Sequence, residues 1–104
     1  MAFVERTLCI TGGAISCVHD VLSSEKIPIA GVLAGGTHHA FSGHGEGYCI
    51  FNDIAVAALV ALKSYESVRN ILVIDLDVHQ GNGTAAIFAE DERVFTFSLH
   101  AVCD

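Results

Sequence analysis

Apolar residues recur at helical spacing after Thr11, at Ala14, Ile15, Val18, Val21 and Leu22. This predicts a helix over 11–24 with Thr11 as its N-cap. The chain's one proline, Pro28, separates it from a short apolar run at 29–34 that has the character of a buried strand. A glycine-rich loop follows over 35–47 and carries His38, His39 and His44. Asn52 and Asp53 then open a second helix, to about Tyr65, since an Asn cap and an acidic first turn suit the positive end of a helix dipole. That helix is apolar almost all round, so it should be buried on more than one side. Residues 71–74 are continuously apolar and β-branched or leucine, as in strands covered on both faces. A short helix at 84–89, a solvated charged turn at 90–92 and a third strand at 94–98 complete the pattern. The order α-β-α-β-α-β predicts an α/β fold with a parallel sheet, right-handed crossovers and helices on both faces.

Composition narrows the class. The chain has 104 residues, 52% hydrophobic and 16% charged, which fits one small domain and excludes disorder over most of the length. Twelve acidic against five basic residues give a formal charge of -7, so no basic surface is available for nucleic acid. A domain this small usually needs more polar residues to cover itself. The chain therefore has the composition of a fragment of a larger body, or of a protein that must associate with a missing or partner chain. The apolar stretch at 54–62 is too short for a bilayer, which takes about 20 residues. No secretory leader is evident, and Cys9, Cys17, Cys49 and Cys103 form no C-x-x-C pair. Reduced thiols in the nucleus or cytoplasm are expected, serving as packing residues, with Cys49 nearest the site.

Ligands in open α/β sheets bind beyond the carboxyl ends of the strands. Here the three predicted strands lead to His38-His39, to Asp75, Asp77 and His79, and to Ser98 and His100. If extended, the alternation from Asp75 to His79 turns those three polar side chains one way and Leu76 and Val78 the other. Asp77 and His79 can then share a cation, and a carboxylate with an imidazole suits zinc, iron, cobalt or manganese. The bland alternative is that Asp75 and Asp77 only cap the next loop. The two adjacent histidines suit proton transfer, against a bland reading of one buried, satisfied imidazole. Gly43, Gly45 and Gly47 lack a phosphate-loop spacing. His44 and Glu46 are expected in solvent, and His19 on a helix surface.

Four segments occur in order: Ala34-Gly-Gly-Thr-His-His-Ala40, Gly47-Tyr-Cys-Ile-Phe-Asn-Asp53, Ile74-Asp-Leu-Asp-Val-His-Gln-Gly-Asn-Gly83 and Phe97-Ser-Leu-His100. Together they resemble the zinc-dependent histone deacetylases of the arginase/deacetylase fold, in the class IV and bacterial-like branch marked by Asn82. The resemblance covers nearly the whole chain and implies that residues 1–104 are a central part of a three-layer α/β/α catalytic domain. It implies that Asp77 and His79 bind Zn2+. His38 and His39 would be the catalytic histidines, with His39 as general base and acid. Asp75 would orient His38, and Asn82 would stand where the partner of His39 sits. Gly47 and Tyr48 would line the acyl-lysine tunnel. Asp75, Asp77, His79, Ser98 and Leu99 would surround a structural monovalent cation, K+.

The implied reaction is hydrolysis of the acyl amide of acyl-lysine in a protein such as histone, and hence chromatin regulation. The family's third metal ligand and its oxyanion tyrosine lie downstream of the D-x-D-x-H segment. Neither is found here, so these 104 residues alone are not expected to be an efficient enzyme. Two alternatives stand beside this reading: a same-fold amidohydrolase acting on a small acetylated metabolite or polyamine, and a non-catalytic truncated product that associates with a partner chain. An arginase-like two-metal hydrolase ranks low for want of further acidic ligands.

Overall fold

The computed structural model describes residues 2–26 and 29–102. Pro28, Cys103 and Asp104 lie outside them. Helix α1 spans Ala2–Leu22 and so begins well before Thr11. Thr11 does not cap it: its hydroxyl donates to the Thr7 carbonyl at 3.0 Å, as the Thr7 hydroxyl does to Phe3 at 2.9 Å. Both threonines are buried, and bonding four residues back satisfies their hydroxyls inside the helix. Helix α2, Asp53–Ser64, starts where the Asn52 cap predicts, with the Asn52 side chain accepting from the Ala55 N–H. Strand β1, Ile71–Asp75, helix α3, Asn82–Ile87, and strand β2, Val94–Ser98, follow.

The expected strand at 29–34 does not form. A strand is defined by its ladder, and this run has no ladder partner among the described residues. It touches α1 instead at Val32, whose side chain comes up to Gly13, where no side chain stands. The sheet is therefore two-stranded, β1 and β2, parallel, with Ile71 opposite Val94 and Asp75 opposite Ser98. The β1-α3-β2 unit is the predicted crossover.

The core is small. Ala55 and Ala58 of α2 meet Phe88 and Val94, with Leu62, Ile71, Val73 and Ile87 packed around them. The other side of α2 rests on α1, so α2 is indeed covered twice. Side chains alternate along the strands, so the sheet has one packed face and one bare face. Leu72 and Ile74 stand beside Phe95 and Phe97 on the bare side, all exposed. The expectation of helices on both faces thus fails for the described residues, and only one helical layer of the three-layer fold is present. No described helix is long and apolar enough to cross a membrane.

The charged turn is more than a solvated loop. Asp91 takes a two-pronged hydrogen bond from Arg93, Nε at 2.8 Å and Nη2 at 2.7 Å, plus the Arg93 N–H at 3.1 Å. These bonds fix the turn that launches β2, and they hold the Asp91 carboxyl down to about 2. A carboxyl depressed in the folded state contributes stability above its ordinary value of 3.8 and loses it as pH falls through about 2. Carboxyl carbon NMR should therefore find Asp91 titrating near 2, and rising toward its ordinary 3.8 after Arg93→Ala, which removes the guanidinium but keeps the backbone N–H bond. A midpoint near 3.8 in the unaltered chain would contradict the pairing.

Candidate active site

The start of α2 organises the site. Asp53 is buried, and its carboxylate accepts from the Gly36 N–H at 2.9 Å and the Thr37 N–H at 2.8 Å. The Thr37 hydroxyl lies 2.7 Å from the same carboxylate. Asn52, also buried, donates from Nδ2 to the Ala40 carbonyl and to the Thr84 hydroxyl oxygen, each at 3.0 Å. The two residues thus clamp both ends of the 36–40 loop. On its other side the Thr84 N–H donates to the His38 carbonyl at 3.1 Å. The sequence marks Asn52 and Asp53 only as a cap; their second task, reaching back to the histidine loop, has no local signal.

His38 and His39 project from this loop with ring centroids 4.2 Å apart. His38 is 5% exposed, and its Nδ1 lies 2.5 Å from Asp75 Oδ2. His39 Nδ1 lies 2.7 Å from Asn82 Oδ1. Each histidine therefore has its own side-chain neighbour at Nδ1. Two glycines make room for this. A Cβ on Gly81 would stand against Asp75 Oδ2, and one on Gly83 would stand against the Ala40 carbonyl oxygen and 2.6 Å from the His39 carbonyl carbon. The first turn of α3 can approach the histidine loop only because these side chains are missing.

The segment after β1 is not the extended strand that the alternation suggests. Regular pairing ends at Asp75, and two Asx turns follow. The Asp77 N–H donates to Asp75 Oδ1 at 3.0 Å, and the His79 N–H donates to Asp77 Oδ1 at 2.8 Å. Loop capping and convergence coexist: Asp77 Oδ1 and His79 Nδ1 lie 3.1 Å apart. His38 Nε2 stands 3.7 Å from the same oxygen. The His79 backbone N–H, more than any other group, holds the Asp77 carboxyl below its ordinary value; burial opposes this, and the His79 ring and the charges of His38 and His79 add to it.

A zinc ion with ligands at about 2.0–2.1 Å keeps tetrahedral donors roughly 3.3 Å apart. Asp77 and His79 match two corners of such a site in both spacing and chemistry. Among the described residues no group of three or more His, Cys, Asp or Glu is placed to hold a metal. The two donors fit; the third is not supplied here.

The remaining predicted residues divide. His39, His79, Asn82 and His100 line one open hollow of about 480 Å³. Gly47 is not among its lining residues but lies close to His39: a Cβ there would stand 3.6 Å from the ring. Tyr48 is 96% exposed and faces a different hollow with Phe3, Arg6 and Ile10 of α1, so the structure does not bring it to the histidines. Ser98 Oγ receives the Gly81 N–H at 3.3 Å and lies 3.0 Å from His100 Nδ1. The Leu99 N–H donates to the Asp75 carbonyl at 3.0 Å, which gathers Asp75, Ser98 and Leu99 at one sheet edge. Cys49 sits beside the site through paired backbone bonds with Glu46. Cys9 is exposed and not a packing residue. His19 is on the surface of α1, hydrogen-bonded to the Tyr65 hydroxyl at 2.7 Å. Glu46, expected only in solvent, accepts from Asn82 Nδ2 at 2.7 Å.

The profile of the histone deacetylase domain matches residues 2–104. The chain belongs to the histone deacetylase family. It is 48% identical over 97 residues to an uncharacterised protein of Picosynechococcus sp., covering 93% of this chain and 31% of that protein. It is 42% identical to the acetoin utilization protein AcuC of Staphylococcus aureus, over 88% of this chain and 23% of the relative. It is 41% identical to the histone deacetylase HDA1 of Saccharomyces cerevisiae, over 86% and 13%. The crystal structure of the HDA15 HD domain superposes with a TM-score of 0.74 at 35% identity, covering 88% of this chain and 26% of that one. The chain thus spans at most about a third of the length of these relatives, and its two-stranded sheet is part of a deacetylase fold.

The close approach of α3 is testable in this deacetylase segment by paired substitutions. Gly83→Ala should destabilise by about 1–3 kcal/mol, because backbone must shift to admit the Cβ. Gly12→Ala, in α1 where a Cβ meets nothing within 4 Å, should be neutral or stabilise by up to about 1 kcal/mol. Urea midpoints measure both; equal effects at the two positions would contradict the packing.

Proposed function

We propose that this segment supplies the proton-transfer half of the active site of a zinc-dependent lysine deacetylase. One observation carries the reading. Two adjacent imidazoles are each tied through Nδ1 to a separate acceptor, beside an Asp77–His79 pair spaced as metal donors. Asp77 and His79 would hold Zn2+ with a third donor from outside the described residues. When bound, the ion supplies Lewis-acid polarisation of the acyl carbonyl and of water.

The chain's own residues do the rest. With Nδ1 donating to Asn82, His39 presents the Nε2 lone pair and accepts a proton from the attacking water. The water oxygen bonds to the acyl carbon, the amide C–N bond breaks, and His39 returns the proton to the leaving lysine amine. His38, tied to Asp75 and close to Asp77, steadies the donor side of the site. Gly47 flanks the acyl chain, and the edge formed by Asp75, Ser98 and Leu99 is the place for the monovalent ion K+. The proposed substrate is acyl-lysine in a protein such as histone. Free thiols at Cys9, Cys17 and Cys49 accord with an intracellular setting.

Hydrolysis of an acetyl-lysine peptide, followed by mass spectrometry on the intact protein, tests this. His39→Ala should lower kcat by about 10²–10⁴ with bound zinc retained, whereas Asp77→Asn should lose the zinc. A zinc-loaded protein that leaves acyl-lysine untouched, or a His39→Ala variant at full rate, would contradict the proposal.

A further inference from the structure

The amide of Asn82 can present either its oxygen or its nitrogen to His39, and the two choices have opposite consequences. If Oδ1 faces the ring, Nδ1 must carry the proton and Nε2 is a base. If Nδ2 faces the ring, Nδ1 must be the acceptor, the proton sits on Nε2, and the base is lost. A carboxylate at this position would accept either way round and would pose no such choice.

Two groups around Asn82 have fixed roles. Glu46 Oε1, a carboxylate oxygen that only accepts, stands 2.7 Å from Nδ2. The Gly83 N–H, which only donates, stands 3.0 Å from Oδ1. Both demand the same orientation, with Oδ1 toward His39 Nδ1 at 2.7 Å. Of the two, the Gly83 contact spans adjacent residues and is the longer, so the charge-assisted bond to Glu46 is the stronger lock.

Glu46 is itself held in place. The Phe41 N–H donates to the His44 carbonyl at 2.9 Å, and Glu46 and Cys49 exchange backbone bonds at 3.1 and 2.9 Å. Phe41 stacks on the His44 ring at 4.5 Å, and His44 Nε2 lies 3.9 Å from Glu46 Oε2. A loop otherwise in solvent is thus stapled so that one carboxylate reaches across to residue 82.

We propose that Glu46 is a positioning residue that fixes the Asn82 amide and through it the Nδ1–H tautomer of His39. This rests on the role of His39 given above, but its test separates the two. In the protein carrying 15N-labelled histidine, the His39 ring nitrogens, assigned with His39→Gln, should show Nδ1–H. Glu46→Ala should move that signal toward the Nε2–H form. Acetyl-lysine hydrolysis should lose about 10- to 100-fold in kcat with KM within about twofold. In the Asn82→Asp background, where no orientation needs choosing, Glu46→Ala should cost nothing further. An unchanged tautomer signal in Glu46→Ala would overturn the proposal. So would an equal loss of rate in both backgrounds, which would mark a general loop effect. Should no acetyl-lysine be hydrolysed, the functional reading fails while the nitrogen signals still decide the role of Glu46.

Discussion

A buried carboxylate and a buried amide at the start of α2 carry the site. Asp53 accepts from the backbone N–H groups of Gly36 and Thr37, and Asn52 donates to the carbonyl of Ala40. An unmade hydrogen bond at such a buried position costs about 1–3 kcal/mol, so the loop has one satisfied arrangement and few competitors. His38 and His39 inherit their positions from it. The loop ends, not the imidazoles, are what the helix grips, which leaves the rings free to bond elsewhere.

Against this fixed loop the end of β1 and the start of α3 deliver the partners. Asp75 and Asn82 reach one histidine each, and Gly81 and Gly83 remove the side chains that would keep them away. The parallel register sets Asp75 opposite Ser98, so three segments distant in sequence meet at one sheet end. The histidines bond through the same ring nitrogen but to different partners. One faces a carboxylate; the other faces an amide whose orientation depends on a further carboxylate. This asymmetry is the physical content of having Asn at position 82 in a deacetylase fold.

Much of this was legible in the sequence where the signal is local. Strands β1 and β2 are apolar runs next to turn residues, and the α2 start is a cap followed by an acidic residue. The four motifs stand far apart in sequence but are tied to one another around the sheet end by hydrogen bonds. Legibility fails where tertiary context decides. Thr11 looks like a cap, yet its hydroxyl finds the Thr7 carbonyl within a longer helix. Residues 29–34 have strand composition but no ladder partner among the described residues. The alternation after Asp75 suggests an extended segment, whereas the carboxylates fold it into Asx turns. Tyr48 stands one residue from Gly47 but faces another hollow. Glu46 is invisible because its partner lies thirty-six positions away.

Hydrogen exchange at the Gly36 and Thr37 amides tests the clamp most directly, since both N–H groups end on Asp53. If the loop and α2 form one unit, these amides exchange only when α2 opens. Their protection should then fall within about tenfold of Ala58 and Ala61 in the same helix. Exchange at the rate of an open loop residue such as Gly43, with α2 still protected, would show that the histidine loop is not held by the helix and would contradict the account.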